Sequence, residues 1–143
     1  MKEPMELGAE ECRELLTAGV IGRLAFVTPA GPRIVPLNYT TLDDAIVIRT
    51  TPYSEVARYA VGTEAAFEID ELNHQRQTGW SVVALGRVEE MSVAELQELR
   101  SLWVPRPWAG GLRNVYLRLT WRELTGRRLR EELATTVPRH PLP

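Results

Sequence analysis

The sequence predicts a mainly β domain of six antiparallel strands curled into a barrel, with short helices on its flanks. Three observations carry this expectation. Segments of strand length alternate with period two, most clearly where Ile46, Ile48 and Thr50 interleave with Val47, Arg49 and Thr51. Tight turn signals, Pro29-Ala30-Gly31-Pro32 and Asp43-Asp44, leave no room for the helical crossovers that parallel strands require. A short antiparallel sheet of this kind removes its exposed edges most simply by closing on itself.

Taken in order, residues 9–18 carry Cys12, Leu15 and Leu16 at near-helical spacing. Glu10, Glu11 and Glu14 lie early in that segment, and Gly19 is placed as the residue just past the helix end. Residues 20–27 read as the first strand, 33–40 as the second and 45–51 as the third. Pro52 stops the third strand, and Val56, Tyr59 and Ala60 mark a short helix over 53–61. Residues 64–70 form a fourth strand with Ala66 or Phe67 on the core side, and 72–78 form a polar loop. A long fifth strand spans 79–91. Ser92 then caps a helix over 93–102, with Glu95 at its third position. A Pro/Gly-rich loop over 105–111 leads to a sixth strand at 114–124. The folded domain is expected over 1–133, and the proline-bearing tail 134–143 is expected to be disordered.

Bulk composition narrows the function classes. The 143 residues suit one domain, with 44% hydrophobic and 25% charged residues. A formal charge of -2 and a pI near 5.8 argue against a general nucleic-acid binder. Of 17 basic residues only Lys2 is lysine, a bias that GC-rich coding explains more simply than a binding site does. Cys12 is the single cysteine, which excludes an internal disulfide and a cysteine metal cluster; it reads as core filler. His74 and His140 are too few for a histidine-rich metal site, and no metal is expected. The sequence shows neither a signal peptide nor a membrane span, so the expected location is the cytoplasm, with no membrane partner.

Four segments concentrate chemistry. In Arg49-Thr50-Thr51-Pro52-Tyr53-Ser54 a guanidinium, three aliphatic hydroxyls and a helix start converge, a donor set suited to phosphate. The same residues also describe a strand end followed by a capped helix. Pro36-Leu37-Asn38-Tyr39 puts proline within a strand, which marks an edge or a backbone turned to another purpose. Thr78-Gly79-Trp80-Ser81 opens the long strand with an aromatic and a hydroxyl, suited to a core, a subunit seam or a ring system. Pro107-Trp108-Ala109-Gly110-Gly111-Leu112-Arg113 reads as a loop closing over a ligand, or as a long connection anchored by one tryptophan.

In their order and spacing these segments resemble the FMN-binding split-barrel proteins related to pyridoxamine-5'-phosphate oxidase. Glu11-Cys12, Leu15-Leu16, Gly22-Arg23-Leu24-Ala25, Phe67-Glu68-Ile69-Asp70 and Thr125-Gly126-Arg127-Arg128 add to the likeness, which covers about residues 7–130. The resemblance implies a homodimeric split β-barrel that binds FMN. Pro36, Leu37 and Asn38 would line the isoalloxazine ring, largely through main-chain groups. Arg49, Thr50, Thr51 and Ser54 would hold the ribityl phosphate. Trp80, Ser81, Trp108 and Arg113 would come from the partner subunit. Many relatives carry lysine immediately after the phosphate-loop serine, whereas this chain has Glu55, a carboxylate that would repel a phosphate. The arginine and histidine by which the true oxidase recognises its substrate have no counterpart near residues 121–130, so synthesis of pyridoxal phosphate is not expected.

The reading is then an FMN-dependent oxidoreductase acting on a small molecule, with no catalytic side chain identified and His74 taken as a surface residue. Two rivals keep the barrel. One binds a deazaflavin, a choice that Glu55 favours slightly; the other is a non-catalytic dimer that binds flavin or haem.

Overall fold

A computed structural model describes residues 4–102 and 114–129. Seven strands and two α-helices appear among them. The strands are β1 (Pro4–Glu6), β2 (Ile21–Thr28), β3 (Gly31–Leu42), β4 (Ala45–Thr50), β5 (Glu64–Asn73), β6 (Thr78–Glu90) and β7 (Val115–Leu129); the helices are α1 (Ala9–Ala18) and α2 (Val93–Leu102). A π-helical turn, Val56–Ala60, stands where the short helix over 53–61 is expected. All strand pairs are antiparallel, in the order β1-β7-β4-β3-β2-β5-β6, and a further β6–β7 pairing closes a six-stranded ring. The expected barrel is therefore present, and β1 is an addition on its outside, paired to the end of β7.

Alternation decides what fills the ring. Leu24, Phe26, Phe67, Ile69, Val82, Ala84, Val88, Leu117 and Leu119 occupy alternate positions on their strands and are buried. Phe67 takes the inward position and Ala66 the outward one, which resolves the two options left open for β5. Cys12 and Leu16 of α1 are fully buried in the same cluster, as are Val56 and Ala60 of the π-helical turn. Burial, with Glu11 beside it, pushes the Cys12 thiol above its ordinary value, as expected of core filler rather than a nucleophile.

Two strands run further than their side chains suggest. The polar segment 72–78 is ladder at both ends: Leu72 pairs with Gly79 and Asn73 with Thr78, leaving 74–77 as the turn. The sixth predicted strand likewise continues past Leu124 to Leu129, paired with β6. A bulge between Leu85 and Gly86 lets the long β6–β7 ladder bend around the ring. At α2 the expected reciprocal cap is present: Ser92 N–H donates to Glu95 Oε1 and Glu95 N–H to Ser92 Oγ, both at 3.2 Å.

Gly19 has a different role from the one its position suggests. It sits after α1 in extended backbone (φ -79°), not in a left-handed cap, and glycine is needed because the Tyr39 hydroxyl fills the space a Cβ would take. That hydroxyl donates to the Leu16 carbonyl at 2.5 Å, tying α1 to β3. Burial of Tyr39, which is only 6% exposed, pushes its pKa up to about 12. The neutral phenol is the form the fold favours. Its contribution is complete below pH 10, the ordinary tyrosine value, and is lost as pH rises through about 12. Tyr39→Phe is expected to cost about 1 kcal/mol at pH 8 and to flatten the loss of stability between pH 10 and 12. Urea titrations of both proteins across that range check this; parallel pH profiles would contradict it.

Candidate functional site

The site begins where β3 leaves the barrel. Residues Tyr39 to Leu42 of β3 pair with β4, but residues Gly31 to Asn38 pair only with β2 among the described residues. Half of β3 is thus a ring strand and half is an open edge. The hydrogen-bonding phase of that edge follows from one contact, Tyr39 N–H donating to the Val20 carbonyl at 3.0 Å. Antiparallel pairs alternate, so Leu37 and Val35 exchange bonds with β2, while the main-chain groups of Asn38, Pro36 and Ile34 turn to the open side. Pro36 therefore costs the ladder nothing. Leu37 has its main chain turned to Gly22 and its half-buried side chain packed on the core. Asn38 and Pro36 remain as the two residues of the trio that offer peptide groups outward, and both are exposed.

Facing this edge is the end of β4. Arg49 and Thr50 lie in its last positions, half-buried, in register with Tyr116 and Val115 of β7. Thr50 Oγ1 donates to Ser54 Oγ at 2.6 Å, and the same oxygen accepts from Ala57 N–H at 3.1 Å. Ser54 N–H in turn reaches the Thr51 carbonyl at 3.2 Å, folding residues 51–54 into a tight turn. With both of those contacts accepted, the Ser54 proton is available to donate away from the turn. Thr51 is exposed on the same turn. The element behind Ser54 has five residues, so it offers no extended helix dipole, and the donors seen at this turn are hydroxyls and backbone N–H groups.

One contact across the site has no signal in the sequence. Arg33, on the open half of β3, places Nε 3.3 Å from Glu55 Oε2. These residues are distant along the chain, and nothing in the sequence around Arg33 points to Glu55. Together with the Thr50–Ser54 bond, the pair links the end of β4 to the free edge of β3. Glu55 therefore sits at the turn with its charge matched by Arg33, whereas the sequence presents it only as a source of repulsion.

Trp80 and Ser81 lie elsewhere. They belong to β6, whose neighbours are β5 and β7, and pair with Arg128 and Arg127. Trp80 is half-buried and lines a hollow of about 520 Å³ with Glu71, Asn73, Thr78 and Arg128. Within one chain they do not join the Asn38–Ser54 cluster. Trp108 and Arg113 lie outside the described residues, as does the predicted tail. His74 is exposed in the β5–β6 turn. Among the described residues no group of three or more His, Cys, Asp or Glu could hold a metal ion, and no helix is long and apolar enough to cross a membrane.

The outer face of β2 and β3 carries several exposed apolar residues, bordered on β5 by carboxylates. Ile34 is 70% exposed, Val27 67% and Ile21 58%, and Pro32 and Pro36 extend the same face. In its midst Arg23 bonds Glu68 and lies 2.9 Å from Asp70, and its charge is held more firmly through Glu68 first and then Asp70.

Comparison with known proteins extends this description. The family described as pyridoxamine 5'-phosphate oxidase matches residues 8–128. Rv0080 of Mycobacterium tuberculosis, an uncharacterized protein, is 35% identical over 112 residues, which span 72% of this chain and 74% of that protein. Among solved structures, a FAD-binding protein of Mesorhizobium loti is 25% identical with a TM-score of 0.66, covering 87% of this chain and 97% of its own. A FAD-binding protein of Mycobacterium smegmatis shares the fold at 22% identity and a TM-score of 0.70, covering 90% of this chain and 100% of its own.

Proposed function

Because the chain belongs to the pyridoxamine 5'-phosphate oxidase family, we propose that it is a flavin-dependent oxidoreductase whose cofactor docks by its ribityl phosphate between the free half of β3 and the end of β4. The observation that carries this reading is the split itself. Two outward-facing peptide positions, at Pro36 and Asn38, lie across from a hydroxyl-bearing turn that follows Arg49 in the chain. The donor set fits the group: the Asn38 N–H and the carbonyls of Pro36 and Asn38 can meet the polar rim of a planar heterocycle, and Thr50, Thr51, Ser54 and Arg49 can meet a phosphate. FMN is the smallest flavin that satisfies both ends. Two solved proteins of this fold bind FAD, which contains the same moiety. The flavin, when bound, supplies the redox chemistry. The chain's residues orient the ring, neutralise the phosphate and limit access of water.

The cofactor site is shared with a second copy of the chain. The exposed apolar face of β2 and β3 is continuous with the cleft edge, so a twin seated there would cover Ile21, Val27 and Ile34 while roofing Pro36 and Asn38. Such a twin would contribute Trp80 and Ser81 from its own β6. Trp80→Ala is expected to weaken dimerisation and flavin retention together, as seen by sedimentation and by absorbance at the flavin bands. An intact, flavin-loaded dimer of that variant would remove Trp80 from the seam.

The deciding experiment is absorbance and mass spectrometry of whatever co-purifies with the untagged protein, followed by stopped-flow mixing with reduced nicotinamide. A bound flavin that becomes reduced supports the oxidoreductase reading. A bound flavin that resists every donor makes the chain a binding module. A preparation that neither carries nor takes up flavin overturns the proposal.

A further inference from the structure

Away from the cleft of β3 and β4, the inner face of the barrel continues past its rim into a row of three in-register residues. Glu71 of β5 pairs with Trp80 of β6, and Trp80 pairs with Arg128 of β7. Each stands two positions from a buried residue of its own strand, Ile69, Val82 or Gly126, so alternation puts all three on that inner face. They line the hollow of about 520 Å³, and Asn73 with Thr78 forms the next row. We infer that this hollow seats a planar organic cation of the pyridinium type, as the small molecule that meets the flavin. That role rests on the flavin reading above, in which the twin's Trp80 reaches the cofactor.

Charge and shape point to this class. Arg128 Nη2 donates to Glu11 Oε1 at 2.8 Å, which matches the guanidinium's charge. Glu71 is exposed and makes no ion pair among the described residues. The described lining of the hollow therefore carries one unmatched negative charge, which attracts a cation and repels an anion. Trp80 is half-buried and packs against the main core cluster. Among the described residues no cation lies over its ring; the cation–ring pairs are Arg13 on Trp121 and Arg58 on Tyr59. An indole beside an unmatched carboxylate holds a flat cation through the ring quadrupole and Coulomb attraction together. Asn73 Oδ1 accepts the Arg76 N–H at 3.0 Å, which leaves the Asn73 amide protons to meet an acceptor such as a ring carboxamide. Glu71 faces solvent, so screening keeps the preference for a cation modest.

The test uses three flat probes of similar shape and different charge: the cation 1-methylnicotinamide, neutral nicotinamide and the anion nicotinate. Each is titrated calorimetrically into the flavin-loaded protein. The cation is expected to bind about threefold to tenfold more tightly than nicotinamide, and nicotinate more weakly than either. Glu71→Gln keeps the shape and removes the charge, so it should level the three affinities while flavin absorbance stays as in the parent. Asn73→Asp adds a second carboxylate and should widen the cation's advantage. Equal affinities in the parent, or a cation preference that Glu71→Gln leaves intact, overturn the inference and leave the flavin site standing. A chain that takes up no flavin overturns the flavin reading and the substrate role together.

Discussion

Phe67→Ala is expected to destabilise the fold by about 3–5 kcal/mol, the largest effect of any single substitution considered. The ring is fully buried at the centre of the main cluster and meets Tyr39 edge-on, with centroids 4.9 Å apart and planes at 68°. It sits on β5 in register with Leu24 of β2 and Ala84 of β6, so its removal opens a void facing three strands at once. A barrel wall is held by ladders on both sides and collapses poorly into such a void. Domains of this size are stable by about 5–15 kcal/mol, so the variant would retain a small margin or none. Urea unfolding with an unchanged slope and a midpoint displaced by more than 1 M is the expected record. A loss under about 1 kcal/mol would mean that Tyr39 and its neighbours close over the gap.

The second large effect is on binding. Arg49→Ala is expected to weaken flavin-nucleotide affinity by about 1.5–3 kcal/mol, roughly 10- to 150-fold, the value of one charge-assisted contact. Arg49 is half-buried in the next-to-last position of β4, directly before Thr50 and in register with Tyr116, so it stands in the chain just ahead of the hydroxyl turn. Riboflavin, which lacks the phosphate, should bind the variant and the parent alike. Equal affinity of both proteins for FMN and FAD would take Arg49 out of the site.

Much of this architecture was legible from residue order. Ala45–Thr50 alternates so regularly because one face of β4 lines the ring and the other packs under α2, where Val47 joins Met91 and Leu99. The turns at 29–32 and 43–44 are visible because only certain residues reverse a chain so tightly. β1 left no trace, since three residues are too few to display a period and its pairing with β7 is made by the backbone. The polar hairpin end at 72–78 was hidden for a related reason. Beyond the barrel rim neither face of β5 or β6 is buried, so ladder bonds persist while apolar alternation stops.

The site was legible in part. Its residue types could be named because proline in a strand and hydroxyls after a strand are local signals. Which peptide groups face the cleft could not, because that depends on the pairing phase of β3 against β2, a relation between two segments. The ion pair of Arg33 with Glu55 is invisible for the same reason, since only the closed ring brings those residues together.

The half-strand that leaves the ring also bears on solubility. A bare strand edge invites a foreign chain to add itself, the usual first step toward aggregates. Pro32 and Pro36 both stand at positions whose missing N–H would have pointed outward, alternating with Ile34 between them. An intruding strand would find two of its needed donors absent within five residues. The edge thus resists the addition of a polypeptide strand.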